Sequence, residues 1–121
     1  MTRSILIVDD SRSMRELVKF ALAPVGYEIT EAADGAQALG LIATKTFDLV
    51  ITDLNMGAIN GLDLTKKIRA VPHHRTTPIL VLTTETSADK KAQARAAGAT
   101  GWLVKPFDRD KLVQTVSRVI P

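Results

Sequence analysis

Four charged side chains stand where short apolar runs end. Asp9 and Asp10 follow Ile5–Val8, Asp53 follows Leu49–Thr52, and Lys105 follows Trp102–Val104. If these runs are parallel strands of one sheet, all four side chains emerge at the same edge. Three carboxylates crowded there repel one another, and without compensation at least one would take up a proton. A hard divalent cation relieves the crowding by accepting oxygen ligands. Magnesium suits this set, because it binds one or two carboxylates, retains waters and accepts phosphate oxygens. Lys105 adds a positive charge, and Thr83, at the end of a further run, adds a hydroxyl donor. One carboxylate can then act as nucleophile and form an acyl phosphate, with metal and ammonium offsetting charge on the phosphoryl oxygens. Asp-Asp alone would signal no more than a helix start, since acids favour helix N-termini. The functional reading comes from the joint pattern of Asp9, Asp10, Asp53, Thr83 and Lys105 at successive strand ends.

The elements that must position these groups alternate along the chain. Ile5–Val8 reads as a buried strand, and Ser11 or Ser13 can cap the helix after it. In that helix Met14, Leu17, Val18, Ala21 and Leu22 recur on one face, and Pro24 and Gly26 stop it. Glu28–Ala32 is more polar and reads as an edge strand. Asp34-Gly35 turns the chain into a helix with Ala38, Leu39, Ile42 and Ala43 inward. Leu49–Asp53 is the third strand, followed by a helix after Gly61 carrying Leu64 and Ile68. Ile79–Thr83 is the fourth strand. Ser87 can cap a helix running to about Ala97, and Gly98 suits its C-terminal stop. After the short fifth strand, Asp108 caps a last helix with Leu112, Val113, Val116, Val119 and Ile120 inward. Five such βα units predict an α/β fold, a doubly wound parallel sheet with helices on both faces. Crossovers are right-handed. The usual five-strand order is flavodoxin-like, 2-1-3-4-5, with ligands at the switch point between strands 1 and 3. Asp9, Asp10 and Asp53 fall there.

The 121 residues suit a single domain, read as 1–121, and 45% hydrophobic content supplies one core. Sixteen basic and thirteen acidic residues leave a net charge of +3, which reads as a solvated surface rather than nucleic-acid or membrane binding. The absence of cysteine excludes disulfides, thiolate metal sites and cysteine nucleophiles. No signal-peptide stretch and no run near the ~20 apolar residues of a membrane span is present. The expectation is a soluble, cytoplasmic monomer. His73 and His74, adjacent in the polar connector between Pro72 and Pro78, read as solvated, with no metal or phosphorelay role. Ser87–Ala97 is rich in alanine and charge, with Lys90, Lys91 and Arg95 but no large aliphatic residue. It reads as a solvated helix of strong propensity, as a loosely packed face that can shift, or as both.

These residues, over essentially the whole chain, resemble a response-regulator receiver domain. The 2-1-3-4-5 order is itself exemplified by the chemotaxis regulator of that family, so topology and resemblance are not independent. The resemblance implies that Asp53 is the phospho-acceptor. It implies that Asp10 and Asp53 ligate magnesium directly, that Asp9 assists through water, and that Asn55 offers its backbone carbonyl. Lys105 would contact the phosphoryl group, Thr83 would move to hydrogen-bond it, and Trp102 would occupy the place of the switch aromatic. A cis peptide would join Lys105 to Pro106. Asn55 and Glu85 would flank the path of attacking water and tune dephosphorylation. That pair, together with Ser11-Arg12-Ser13-Met14-Arg15 and the lack of an output domain, resembles the single-domain chemotaxis (CheY-like) type. Met56-Gly57 departs from the family's Met-Pro, and glycine frees backbone that proline would restrain. Trp102 offers a donor but no acceptor, unlike the tyrosine often found there.

The expected function is thus a two-component signalling switch, not an enzyme acting on others. It would assist its own phosphorylation and autodephosphorylation. A histidine kinase would phosphorylate Asp53, and the face of helix 4, strand 5 and helix 5 would change its affinity for a flagellar motor switch or other chemotaxis protein. The alternative within the family is a receiver trimmed from a larger regulator, a transcription factor or hybrid kinase. A flavodoxin-like electron carrier or small nucleotide enzyme shares the topology. However, the first βα loop is acidic, and no G-x-G-x-x-G or Walker lysine loop is present.

Overall fold

The structure, a computed structural model, describes residues 2–120. Strands β1 (Ser4–Val8), β2 (Glu28–Ala32), β3 (Leu49–Asp53), β4 (Ile79–Thr83) and β5 (Gly101–Val104) alternate with helices α1 (Arg12–Leu22), α2 (Gly35–Thr44), α3 (Gly61–Arg69), α4 (Ala88–Ala97) and α5 (Arg109–Val119). Two short 3₁₀ turns, Ala23–Val25 and Pro72–His74, complete the connections. All strand pairs are parallel, in the order β2-β1-β3-β4-β5. This is the predicted topology, with β2 at one edge.

Strand alternation divides the core into two layers. Ile5, Ile7, Leu49, Ile51, Leu80 and Leu82 face α1 and α5, where Val18, Leu22, Leu112 and Val116 cover them. Leu6, Val8, Val50 and Ile79 face the opposite side, under Ala38, Ile42, Leu64 and Ile68 of α2 and α3. Each helix starts on a side-chain cap. Ser11, Asp34, Asn60, Ser87 and Asp108 accept from the backbone N–H groups of Met14, Gln37, Asp63, Lys90 and Lys111, satisfying donors that helix geometry leaves unpaired. Asp34 is therefore a cap rather than only half of a turn. Gly98 ends α4 with φ of 109°, a conformation that side chains disfavour.

Three readings of the sequence are corrected. Leu17 is 50% exposed. It lies on the flank of α1 that opens toward α5, sharing a cleft with Phe20 and Phe107 instead of entering the core. Ala43 is exposed, one step around α2 from buried Ile42. His74 is fully buried. Its Nε2 donates to the Lys45 carbonyl at 2.9 Å, Nδ1 pairs with Thr77 Oγ1 at 2.8 Å, and the ring stacks on Phe47. His73, by contrast, is exposed as expected, though its Nε2 bonds the Ile42 carbonyl.

Candidate functional site

The register delivers the acidic residues to one place. Val8 pairs with Thr52, so the next residues, Asp9 and Asp53, leave their strands side by side. One carboxylate oxygen from each of Asp9, Asp10 and Asp53 lies within 4.8 Å of the others. Among the described residues this is the one group of its kind. Thr83 pairs with Val104, which brings Lys105 in from the other flank. Its Nζ stands 3.3 Å from Asp53 Oδ1 and 3.5 Å from Asp9 Oδ2. The four groups that the sequence singled out are thus one constellation.

Local backbone chemistry fixes each of them. The Ser11 N–H donates to Asp9 Oδ1 at 2.9 Å, the same residue whose hydroxyl caps α1. Arg15 Nη1 donates to the Asp9 carbonyl at 2.7 Å, while its Nε pairs with Glu31 at 3.2 Å. This bracing across the β1–α1 turn was invisible in the sequence, where Arg15 was only part of a resembling stretch. The Asp53 turn depends on Gly61. Its N–H donates to the Leu54 carbonyl at 2.8 Å, and a Cβ at this position would collide with the Asp53 carbonyl oxygen. The only sequence signal for that role was a glycine at a helix start. The Lys105 N–H donates to the Thr83 carbonyl at 2.7 Å, and the Lys105–Pro106 peptide is cis.

Electrostatics follow from burial. Asp9 is only 3% exposed, and that desolvation pushes its carboxyl above the ordinary carboxylate range. The neighbouring Asp53 charge adds to the rise, while the Ser11 N–H and Lys105 oppose it. Three carboxylates therefore face a single ammonium. An all-oxygen donor set, crowded, partly buried and under-neutralised, is what a hard divalent cation requires, so the residues present fit magnesium.

The other predicted residues surround this group. Thr83 is buried, and its Oγ1 accepts from the Glu85 N–H at 3.0 Å. Glu85 is half-buried, and its carboxylate accepts from the Ser87 N–H. Asn55 is exposed on the loop after Asp53. Trp102 is half-buried on β5, and its indole Nε1 is shut off from solvent without a hydrogen-bond partner among the described residues. No helix of the described residues is long and apolar enough to cross a membrane.

Residues 5–117 match the family model of the response regulator receiver domain. Chemotaxis protein CheY-3 of Vibrio cholerae serotype O1 is 40% identical over 116 residues, covering 95% of this chain and 89% of that one. The solved structure of Vibrio cholerae chemotaxis protein CheY4 superposes with a TM-score of 0.96 at 45% identity, covering 99% and 100% of the two chains. The receiver domain of a sensor histidine kinase from Pseudomonas aeruginosa, solved with magnesium coordinated in its active-site cleft, gives 0.91 at 29% identity over 99% and 98%.

Proposed function

This chain belongs to the response-regulator receiver family, and on that premise we propose that it is a chemotaxis-type switch whose phospho-acceptor is Asp53. As a member of that family it is a phosphorylation-activated response regulator, a signalling switch rather than an enzyme acting on other molecules. The observation that carries the assignment is the lysine seated against two of three clustered carboxylates.

In the proposed reaction an Asp53 carboxylate oxygen attacks phosphorus. The bond from phosphorus to the donor's histidine nitrogen breaks, and its electron pair leaves with that nitrogen. The product is an acyl phosphate. Lys105, already 3.3 Å from Asp53 Oδ1, is placed to balance negative charge on the transferred group. Magnesium, held by Asp10 and Asp53, by Asp9 through water and by the Asn55 backbone carbonyl, would supply neutralisation of the phosphoryl oxygens. Thr83 can respond without losing its present bond. It accepts from the Glu85 N–H, so its own proton stays available for a phosphoryl oxygen. Reorganisation there would reach Trp102 and bias the α4–β5–α5 face between two states, which requires a difference in interaction energy between them. Asn55 and Glu85 would set the lifetime by flanking the water that hydrolyses the acyl phosphate. The partners are a histidine kinase and, downstream, a flagellar motor switch or other chemotaxis protein. The protein acts as a cytoplasmic monomer with residues 1–121 forming one receiver domain.

The test is uptake of one labile phosphoryl group from acetyl phosphate, dependent on magnesium and lost in Asp53→Asn. Undiminished labelling of that variant would remove Asp53 as the acceptor.

A further inference from the structure

Asp9 is held at three points. Its N–H donates to the Ala32 carbonyl at 3.1 Å. Its carboxylate accepts from the Ser11 N–H at 2.9 Å, and its carbonyl accepts from Arg15 Nη1 at 2.7 Å. Of these three bonds only the one from Arg15 reaches the peptide that joins Asp9 to Asp10. A peptide is planar, so fixing the direction of its carbonyl also fixes the opposite N–H and the line to the next Cα. That next Cα carries the Asp10 side chain. Asp10 is exposed, so packing gives its carboxylate little direction and the backbone that carries it gives more. The closeness of its oxygen to those of Asp9 and Asp53, all within 4.8 Å, follows from that backbone.

The guanidinium is itself anchored. Arg15 Nε stands 3.2 Å from Glu31 Oε1, and the Arg15 side chain is only 15% exposed. Glu31 sits on β2 opposite Ile7 of β1. One planar cation therefore spans from the edge strand to the β1–α1 turn, with both of its bonds charge-assisted. A lysine ammonium is a single point and lacks the separated donors that this span uses. Lys19, one turn further along α1, also approaches Glu31, at 3.9 Å, but it is 48% exposed and Glu31 is its one ion-pair partner among the described residues.

We infer that Arg15, anchored by Glu31, is a positioning residue for the magnesium site: it holds the Asp9–Asp10 peptide so that the Asp10 carboxylate stays with those of Asp9 and Asp53. The inference rests on the reading of Asp10 and Asp53 as magnesium ligands, and it adds the group that sets their spacing. Charge and positioning act in opposite senses here. A fixed cation near the site repels magnesium, so deleting its charge alone would tighten binding. Losing the positioning weakens binding, and groups that orient metal ligands are worth roughly 10- to 100-fold in affinity. Arg15 acts through the backbone rather than on the ligating carboxylate, which places its effect near the low end, about tenfold.

Magnesium titration of the ¹⁵N-labelled full chain, read at the Asp53 amide, measures the affinity. Arg15→Ala and Arg15→Lys should each raise the magnesium Kd about tenfold, while Lys19→Ala leaves it unchanged. The effects of Arg15→Ala and Glu31→Ala should not add in the double variant, because Glu31 works through Arg15. With acetyl phosphate as donor, Arg15→Ala should need about tenfold more magnesium for half-maximal labelling and reach the wild-type rate at saturation. Tighter or unchanged magnesium binding in Arg15→Ala, or a lysine variant indistinguishable from the wild type, would overturn the inference. So would a lowered rate at saturating magnesium with unchanged half-saturation. If Arg15→Ala does not fold in EDTA, Arg15→Lys carries the same test. Asp10→Asn separates the inference from the reading beneath it. Undiminished magnesium binding in that variant would sink the ligand assignment. Binding lost there but unaltered in Arg15→Ala would leave the ligands standing and sink only the role of Arg15.

Discussion

Replacing Lys105 by methionine asks what the ammonium does for the carboxylates before any cation arrives. Its Nζ is 3.3 Å from Asp53 Oδ1 and 3.5 Å from Asp9 Oδ2, and the three side chains are 14, 13 and 4% exposed. Each pair is worth about 5 kcal/mol at an effective dielectric near 20, and about 1 kcal/mol in bulk water. Removing the ammonium also removes its own desolvation penalty, about several kcal/mol, which works in the opposite direction. Protonation sets the ceiling. A carboxyl with a pKa near 4 takes up a proton at pH 7 for about 4 kcal/mol, and Asp9, already raised by burial, does so for less. The metal-free variant should therefore lose about 2–3 kcal/mol at pH 7, at or just below the roughly 3–5 kcal/mol of breaking a buried pair, because protonation caps the cost. Acidification makes the rescuing proton cheaper by about 1.4 kcal/mol per pH unit, so the deficit should narrow at pH 5. Urea unfolding of both proteins in EDTA at the two pH values measures this. Magnesium added afterwards should stabilise the variant more than the wild type, since the ammonium no longer competes for the same oxygens. Equal stability at pH 7 in EDTA, or a deficit that does not shrink on acidification, would refute the reasoning.

Asp9→Asn should flatten the pH dependence of stability in EDTA. The folded-state pKa of Asp9 is raised, so the folded protein binds this proton more tightly than the unfolded chain, and stability falls as pH rises from the ordinary value of 3.8 to the raised one. Wild-type and variant unfolding curves that run parallel over that window would contradict it. Gly61→Ala forces a methyl group against the Asp53 carbonyl and to 2.9 Å from Leu54 Cα. A loss of about 1–3 kcal/mol and weaker magnesium-induced stabilisation should appear in denaturant melts, whereas wild-type behaviour would show that the Asp53 turn yields freely. His74→Ala leaves the Lys45 carbonyl and Thr77 hydroxyl unpaired and opens a void beside Phe47. About 3 kcal/mol of stability should disappear with the beryllofluoride response of Trp102 fluorescence intact, and a lost response in folded protein would tie His74 to the switch.

Much of the fold is local in origin and so legible along the chain. Strands β1, β3 and β4 are short apolar runs buried on both faces, and the ends of β1, β3, β4 and β5 fall where Asp9, Asp53, Thr83 and Lys105 stand. Parallel order then places those ends on one edge, so the site could be named before its geometry was known. The misreadings share one cause. Periodicity tells which side of a helix is apolar but not what covers it. Leu17 lies on the apolar side of α1, yet the space between α1 and α5 is left open there. His74 looked polar and loop-borne. It is buried because Lys45, twenty-nine residues away in sequence, supplies its carbonyl, and Phe47 and Thr77 close around the ring.

The sequence by itself determined the alternation of elements, the helix starts at Ser87 and Asp108, and the identity of the charged groups that cluster at the strand ends. Each depends on residue type and near spacing. Only the tertiary structure decided the bracing of Asp9 by Arg15, the clearance that Gly61 leaves for the Asp53 carbonyl, and the isolation of the Trp102 donor. These are contacts between atoms from separate elements. Their energies depend on distance and on exclusion of water, and neither quantity exists until the sheet and its helices have closed on one another.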